Sequence, residues 1–255
     1  MTTHLYPVLR YERAHEAVAW LGRAFEFSTA ALFDGPDHTV THAELTYGTG
    51  TVGLSTAGPV DEANIWTTVR EGIYVCLEDP DGHHARANAA GAVIERELRD
   101  LDYGSREYTA RDSDGRLWSF GTYKMARPAG PPTFFPELCS NNTRAAVTFL
   151  SQAFGLEPGL RVDANGTVAH AELWLGDEAL LVGSAEASHQ RHGRSLCTHV
   201  VVTDPDAHCA RAEAAGAVIV SRPHDTTYGA RAYVAQDLEG VLWSFSTYRP
   251  RKPGR

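Results

Sequence analysis

An internal repeat constrains the fold of this chain more than any other feature. Residues 103–123 (YGSREYTARDSDGRLWSFGTY) and 228–248 (YGARAYVAQDLEGVLWSFSTY) are identical at thirteen of twenty-one positions. The match extends upstream, because AAGAVI at 89–94 recurs at 214–219 and HAEL at 42–45 recurs at 170–173. Similarity sustained over this distance indicates a duplicated domain. A length of 255 residues also fits two domains.

The repeat divides the chain into four segments. We expect a first domain over residues 1–124, a linker over 125–133, a second domain over 134–249 and a basic tail over 250–255. The linker is rich in proline and glycine, which favour an extended chain over a helix or strand.

Hydrophobic periodicity predicts the same order of elements in every unit. Residues 5–11 have the pattern of a strand and residues 14–25 that of an amphipathic helix, and three strand-like runs follow. The order then restarts, with Asp79 and Pro80 predicted to open a second helix. Each domain is therefore predicted to be βαβββ twice, which makes the chain an α+β protein of four such units.

Alternation along the predicted strands separates core residues from candidate ligand contacts, because successive side chains point to opposite faces of a sheet. One face is predicted to pack under the helices and to hold Trp118, Phe120, Trp243 and Phe245. Candidate ligand contacts on the opposite face are Tyr6, Arg10, His42, Glu44, Tyr74 and Ser119 in the first domain, and Phe135, His170, Glu172, Trp174, Cys197, His199 and Ser244 in the second.

The βαβββ pairs, the helix starts at Asp79 and Asp204 and the ending YGxRxYxxxDxxGxLWSFxTY resemble the vicinal oxygen chelate superfamily. This superfamily includes glyoxalase I, bleomycin resistance proteins and extradiol dioxygenases. The resemblance covers both copies of the repeat. It implies two domains with open, barrel-like mixed sheets, helices on the outer face and a ligand on the concave face. The same scaffold serves enzymes and binding proteins.

The resemblance also indicates where a metal would bind. In metal-dependent members the ligands are His or Gln at the start of the first strand of a unit and Glu in its last strand. The matching positions here are Tyr6, Gly72, Ser119, Phe135, Cys197 and Ser244. Apart from one thiol, none of these offers an imidazole or carboxylate ligand. We therefore predict that the protein uses no metal and no other cofactor.

Composition narrows the range of partners. The formal net charge is −9, and the only basic cluster is the tail, which argues against nucleic acid as a partner. The sequence contains no run of 18 apolar residues and no pattern of a signal peptide, so we predict no membrane span and a cytoplasmic location. The four cysteines lack CxxC spacing, which is typical of reduced thiols.

The sequence favours a metal-independent protein that binds a small molecule, such as an antibiotic or another aromatic natural product. The alternative is a lyase, isomerase or dioxygenase of the same superfamily, with a non-standard metal or acid–base site in the second domain. Candidate catalytic residues for that alternative are His170, Glu172 and His199. We expect a monomer or homodimer, and we expect the second domain to hold the working site because its concave face has more polar groups.

Overall fold

The computed structural model describes residues 4–59, 69, 71–111, 115–125, 130–164, 167–184, 196–236 and 240–250. The first copy of the repeat contains β1 (His4–Tyr11), α1 (Ala14–Phe25), β2 (Ser28–Asp34), a 3-10 turn (Pro36–His38), β3 (Val40–Tyr47), β4 (Gly50–Thr56), β5 (Glu71–Cys76), α2 (Pro80–Ala89), β6 (Val93–Asp100), β7 (Arg106–Arg111) and β8 (Leu117–Gly121).

The second copy repeats this order. It contains β9 (Phe134–Ser140), α3 (Thr143–Phe154), β10 (Glu157–Ala164), β11 (Thr167–Leu175), β12 (Glu178–Ser184), β13 (Leu196–Val201), α4 (Pro205–Ala214), β14 (Val218–Asp225), β15 (Arg231–Gln236) and β16 (Leu242–Ser246). Within the described chain, no helix has both the length and the hydropathy to cross a membrane. Residues 251–255 of the predicted tail lie outside the described residues.

Each copy forms one open, eight-stranded mixed sheet. The strand order is β2-β3-β4-β1-β5-β8-β7-β6 in the first and β10-β11-β12-β9-β13-β16-β15-β14 in the second. The two βαβββ units of a copy meet at an antiparallel pair, β1 with β5 or β9 with β13. The predicted fold class, an α+β chain of four such units, is confirmed.

Side-chain caps open three of the helices, α2, α3 and α4. The Asn142 side chain accepts a hydrogen bond from the Ala145 amide at 3.1 Å and caps α3. Gly155 ends that helix at φ 70°, in the left-handed region that glycine adopts without strain. Asp79 and Asp204 cap α2 and α4, each followed by proline at the first helical position.

The cores under the helices are shared between the two copies. One cluster joins Leu21 and Phe25 of the first copy to Tyr233, Trp243 and Phe245 of the second. A second cluster combines Trp118 and Phe120 with Leu150, Phe154 and Leu180. The first unit of each copy therefore packs against the second unit of the other copy.

Two phenylalanines at equivalent positions lie at the centre of these shared cores. The ring of Phe25, the last residue of α1, lies 4.7 Å from Phe245 and 5.7 Å from Trp243, centroid to centroid. Phe154, the last residue of α3, lies 4.7 Å from Phe120 and 5.2 Å from Trp118. The predicted burial of both tryptophans in equivalent environments is confirmed, since neither exposes any surface.

A buried histidine also links the copies. His83 Nδ1 accepts from the Tyr108 hydroxyl at 2.6 Å, and its Nε2 donates to the carbonyl of Phe154 at 3.1 Å. Burial lowers the pKa of His83 to about 4, so the ring is neutral at physiological pH.

We expect Trp118→Ala and Trp243→Ala each to lower the free energy of unfolding by about 3–5 kcal/mol, because each empties a large aromatic site in a packed core. Urea denaturation measures this loss. The matched control is Val93→Ala, at a residue that is 59% exposed. A loss no larger than that of the control would contradict the assignment of these tryptophans to the core.

Candidate functional site

The faces turned away from the helices hold separate, smaller clusters. In the first copy this concave face groups Tyr6, Tyr74, Cys76 and Met125. In the second copy it groups Phe135, Trp174, Ala179 and Leu181. Strand alternation therefore sorts the two faces as the sequence predicts.

Side chains of the protein itself pack against one another on the concave face of the first copy. The rings of Tyr6 and Tyr74 lie 6.5 Å apart. Met125 covers Gly53, where an added Cβ would lie 3.0 Å from the Met125 Cε. Met125 lies at the start of the predicted linker, and no strand pattern predicts its burial.

Polar groups on the first copy's concave face satisfy one another. Glu44 accepts hydrogen bonds from His42 Nε2 at 3.2 Å and from the Tyr123 hydroxyl at 2.7 Å. Ser119 bonds to Thr109 at 2.9 Å. The predicted contact residues of this copy are therefore engaged with their own neighbours.

Arg10, also a predicted ligand contact, donates from Nη2 to the carbonyl of Thr56 at 3.2 Å. Glu107, which the sequence analysis did not select, accepts from Arg96 at 2.7 Å and from Tyr103 at 2.8 Å. Arg10 and Glu107 therefore both bond to other groups of the protein.

His199 has a structural role on the concave face of the second copy. Its Nε2 donates to the carbonyl of Tyr248 at 3.1 Å, and its Nδ1 accepts from the Ser244 hydroxyl at 3.3 Å. Burial lowers the pKa of His199 to about 4. The imidazole is therefore neutral and held in one orientation. Its ring centroid lies 6.1 Å from that of Phe135.

Glu172 is the buried acid of the second copy, with only 1% of its surface exposed. Its Oε1 accepts a hydrogen bond from the Tyr248 hydroxyl. Its Oε2 has no hydrogen-bond partner in the described part of the chain. Burial raises the pKa of Glu172, and the hydrogen bond from Tyr248 opposes that shift. A buried oxygen without a partner costs stability, which is typical of a group reserved for a ligand.

The side chains of two neighbours of Glu172 on β11, Trp174 and His170, also lack hydrogen-bond partners in the described chain. The Trp174 indole N–H is buried and also has no partner among the described residues. His170 is half-buried, burial lowers its pKa, and it makes no hydrogen bond within the described chain. The equivalent histidine of the first copy, His42, is bonded to its glutamate.

Glu137 is a further acidic residue on the concave side of the second copy. It lies on β9, opposite Cys197 on one side and Leu181 on the other. Burial raises the pKa of Glu137 to about 7, and its carboxyl group forms no hydrogen bond within the described chain. Strand alternation predicts this placement, since Glu137 follows Phe135 by two residues on one strand.

A cavity of about 530 Å³ opens beside Glu172. The rings of Tyr228 and Tyr248 form one wall, with centroids 5.3 Å apart. The lining residues are Gly159, Leu160, Glu172, Tyr228, Gly229, Ala230, Thr247, Tyr248 and Arg249. A larger groove, near 810 Å³, lies beside the start of α1 and contains none of the predicted contact residues.

The family's metal does not fit the residues at its expected positions. Tyr6 and Phe135 are buried aromatics, Ser119 is bonded to Thr109, and Ser244 is bonded to His199. In the ranges that the structure describes, no three His, Cys, Asp or Glu side chains converge as a metal site would require.

Comparison with known proteins agrees with this fold. The model of the Glyoxalase/Bleomycin resistance protein/Dioxygenase superfamily matches residues 134–245. Uncharacterised proteins of Mycobacterium bovis and Mycobacterium tuberculosis are 28% identical over 123 residues, which cover 44% of this chain and 81% and 72% of those proteins.

Two solved structures share the fold of the chain. A mutant 4-hydroxymandelate synthase from Streptomyces coelicolor has a TM-score of 0.65 at 10% identity, covering 97% of this chain and 93% of that one. The Mn(II)-bound glyoxalase from Novosphingobium aromaticivorans has a TM-score of 0.62 at 13% identity, covering 95% and 80%. The second copy therefore matches the model of this superfamily over residues 134–245, and the whole chain shares its fold with these solved structures.

The raised pKa of Glu137 predicts a pH-dependent stability. The folded state holds this proton up to about pH 7, whereas the unfolded chain releases it near pH 4.5. Its contribution to stability is therefore full below pH 4.5 and is lost as the pH rises through 7. We expect Glu137→Gln to raise the free energy of unfolding at pH 8 by about 1–2 kcal/mol and to change it little at pH 4.

Urea denaturation at both pH values measures this effect. The control is Glu97→Gln, which removes the charge of a carboxylate that is 80% exposed. Equal stability of Glu137→Gln and the wild-type protein at pH 8 would show that Glu137 is not held in its protonated form.

Proposed function

We propose that the protein binds a small, ring-bearing molecule on the concave face of its second copy and that this binding needs no metal. The observation that carries this proposal is the contrast between Glu172 and Glu44. Glu44 is bonded to His42 and Tyr123, whereas Glu172 lines an open cavity with one oxygen unpartnered in the described chain.

The walls of the cavity suit a flat, apolar ligand. Tyr228 and Tyr248 present aromatic rings, and Leu160 and Ala230 add aliphatic surface. A volume of about 530 Å³ lies within the usual range for drug-sized ligands. Stacking on aromatic walls contributes about 0.5–1.5 kcal/mol per pair beyond the buried area. An antibiotic or another aromatic natural product has this chemistry.

Glu137 favours a second candidate function, acid–base catalysis. A carboxyl group with a pKa of about 7 exchanges its proton at physiological pH, as a general acid or base requires. His170 lies on the same concave face, and His199 is electrostatically coupled to it. A lyase or isomerase reaction without a metal could use this set.

The partners that we propose follow from charge and shape. A net charge of −9 without a basic face disfavours nucleic acid and favours a small molecule. A cytoplasmic location, and a monomer or homodimer as the working form, remain predictions.

A thermal-shift screen of the whole protein tests binding. Aromatic natural products, including antibiotics, are compared with zinc, iron, nickel and manganese ions. A ligand of the folded state at 100 times its dissociation constant adds about 2.7 kcal/mol of stability, so we expect a clear rise in Tm with aromatic compounds. A rise with a stoichiometric metal and with no organic compound would contradict metal-independent binding.

Paired substitutions test which copy binds. We expect His170→Ala with His199→Ala to weaken binding of the best compound at least tenfold, because His170 lies beside Glu172 on β11 and His199 holds the backbone of Tyr248, which lines the cavity. His42→Ala with Tyr74→Ala, the matched pair in the first copy, should change affinity less than twofold. Calorimetric titration measures both, with circular dichroism to verify folding. A larger loss of affinity in the His42/Tyr74 double variant than in the His170/His199 double variant would place the binding site in the first copy.

A further inference from the structure

We infer that the second copy's cavity selects a ligand with a protonated amine, which pairs with the carboxylate of Glu172. This inference rests on the proposed function and specifies the ligand class. Glu172 is 1% exposed and lines the cavity, and its Oε2 lacks a partner among the described residues.

The first copy shows which groups donate hydrogen bonds to the equivalent carboxylate. Glu44 occupies the position equivalent to Glu172, and Tyr123 donates to it as Tyr248 donates to Glu172. The same oxygen of Glu44, Oε1, also accepts a hydrogen bond from a nitrogen, His42 Nε2, at 3.2 Å. Glu172 receives no such bond from His170 in the described chain. The second copy therefore lacks the nitrogen donor that the first copy supplies to this carboxylate.

The absence of an ion pair between Glu172 and Arg249 in the described chain indicates that this donor is cationic. Arg249, a cationic side chain on the cavity wall, donates from Nη1 to the carbonyl of Pro132 and forms no ion pair with Glu172. A buried carboxylate without a counterion is costly, and an ammonium group removes that cost. Hydrogen bonds between charged partners are also about twice as strong as neutral ones.

The walls beside Glu172 suit the same ligand. Tyr228 and Tyr248 present ring faces and edges around the cavity. Aromatic rings attract ammonium groups through their quadrupoles and also bury the apolar body that carries the amine. Leu160, which is 45% exposed, extends this apolar wall to the cavity mouth.

The test compares two probes of matched shape, 2-naphthylmethylamine and 2-naphthylmethanol, by calorimetric titration of the whole protein at pH 7.5 in 150 mM salt. The amine is protonated at this pH and the alcohol is neutral. We expect the amine to bind at least tenfold more tightly. Glu172→Gln should abolish that preference.

The control variant is Glu97→Gln, which makes the same substitution at an exposed residue of the first copy and should retain the tenfold preference. If Glu172→Gln does not fold, the inference is tested by two other measurements. These are the wild-type protein's preference for the amine and the affinities of Leu160→Ser for both probes. Leu160→Ser changes an exposed residue and should weaken both probes at least fivefold. Unchanged affinities in Leu160→Ser would overturn the assignment to this cavity.

Equal affinities of the wild-type protein for the two probes would overturn the inference and leave the proposed function standing, because a ring-bearing molecule would still bind. A preference that survives Glu172→Gln would overturn it too. Binding of neither probe would count against the proposed function itself, and the inference would be lost with it.

Discussion

The contacts of Phe25 and Phe154 with the aromatic residues of the opposite copy hold the two halves of this protein together. Each ring ends a first-unit helix and lies 4.7 Å from a phenylalanine of the other copy's last strand. Both helix-side cores are built around these contacts and contain residues of both copies. Because interiors are close-packed, neither copy can change its helix side without a matching change in the other.

This shared packing leaves the concave faces free to diverge. Their side chains belong to two small clusters that are separate from the helix-side cores. In the first copy Met125 covers Gly53 of β4. In the second copy Leu181 of β12 lies opposite Glu137 of β9. The duplicated scaffold therefore carries two different concave faces, and a cavity lies beside the buried acid of the second.

The unpartnered groups of the second copy have an energetic consequence. Glu137 and the Oε2 atom of Glu172 are partly or wholly withdrawn from water without a hydrogen bond in the described chain. Such groups reduce the stability of the free protein, and a ligand that pairs with them restores it. Working sites commonly combine perturbed carboxyl groups with a concave apolar wall, and this face has both.

The sequence by itself determined the duplication, the βαβββ order, the helix caps at Asp79 and Asn142, and which face each strand residue occupies. These features depend on local rules, since capping involves residues three apart and strand alternation has a period of two. Only the tertiary structure decided that the units of one copy pack on those of the other, that Met125 packs on the concave face of the first copy, and that His42 bonds to Glu44 while His170 does not bond to Glu172 in the described chain. Those outcomes depend on contacts between residues that are distant in the chain, such as Tyr248 with Glu172 and Phe25 with Phe245, and no local pattern encodes such distances.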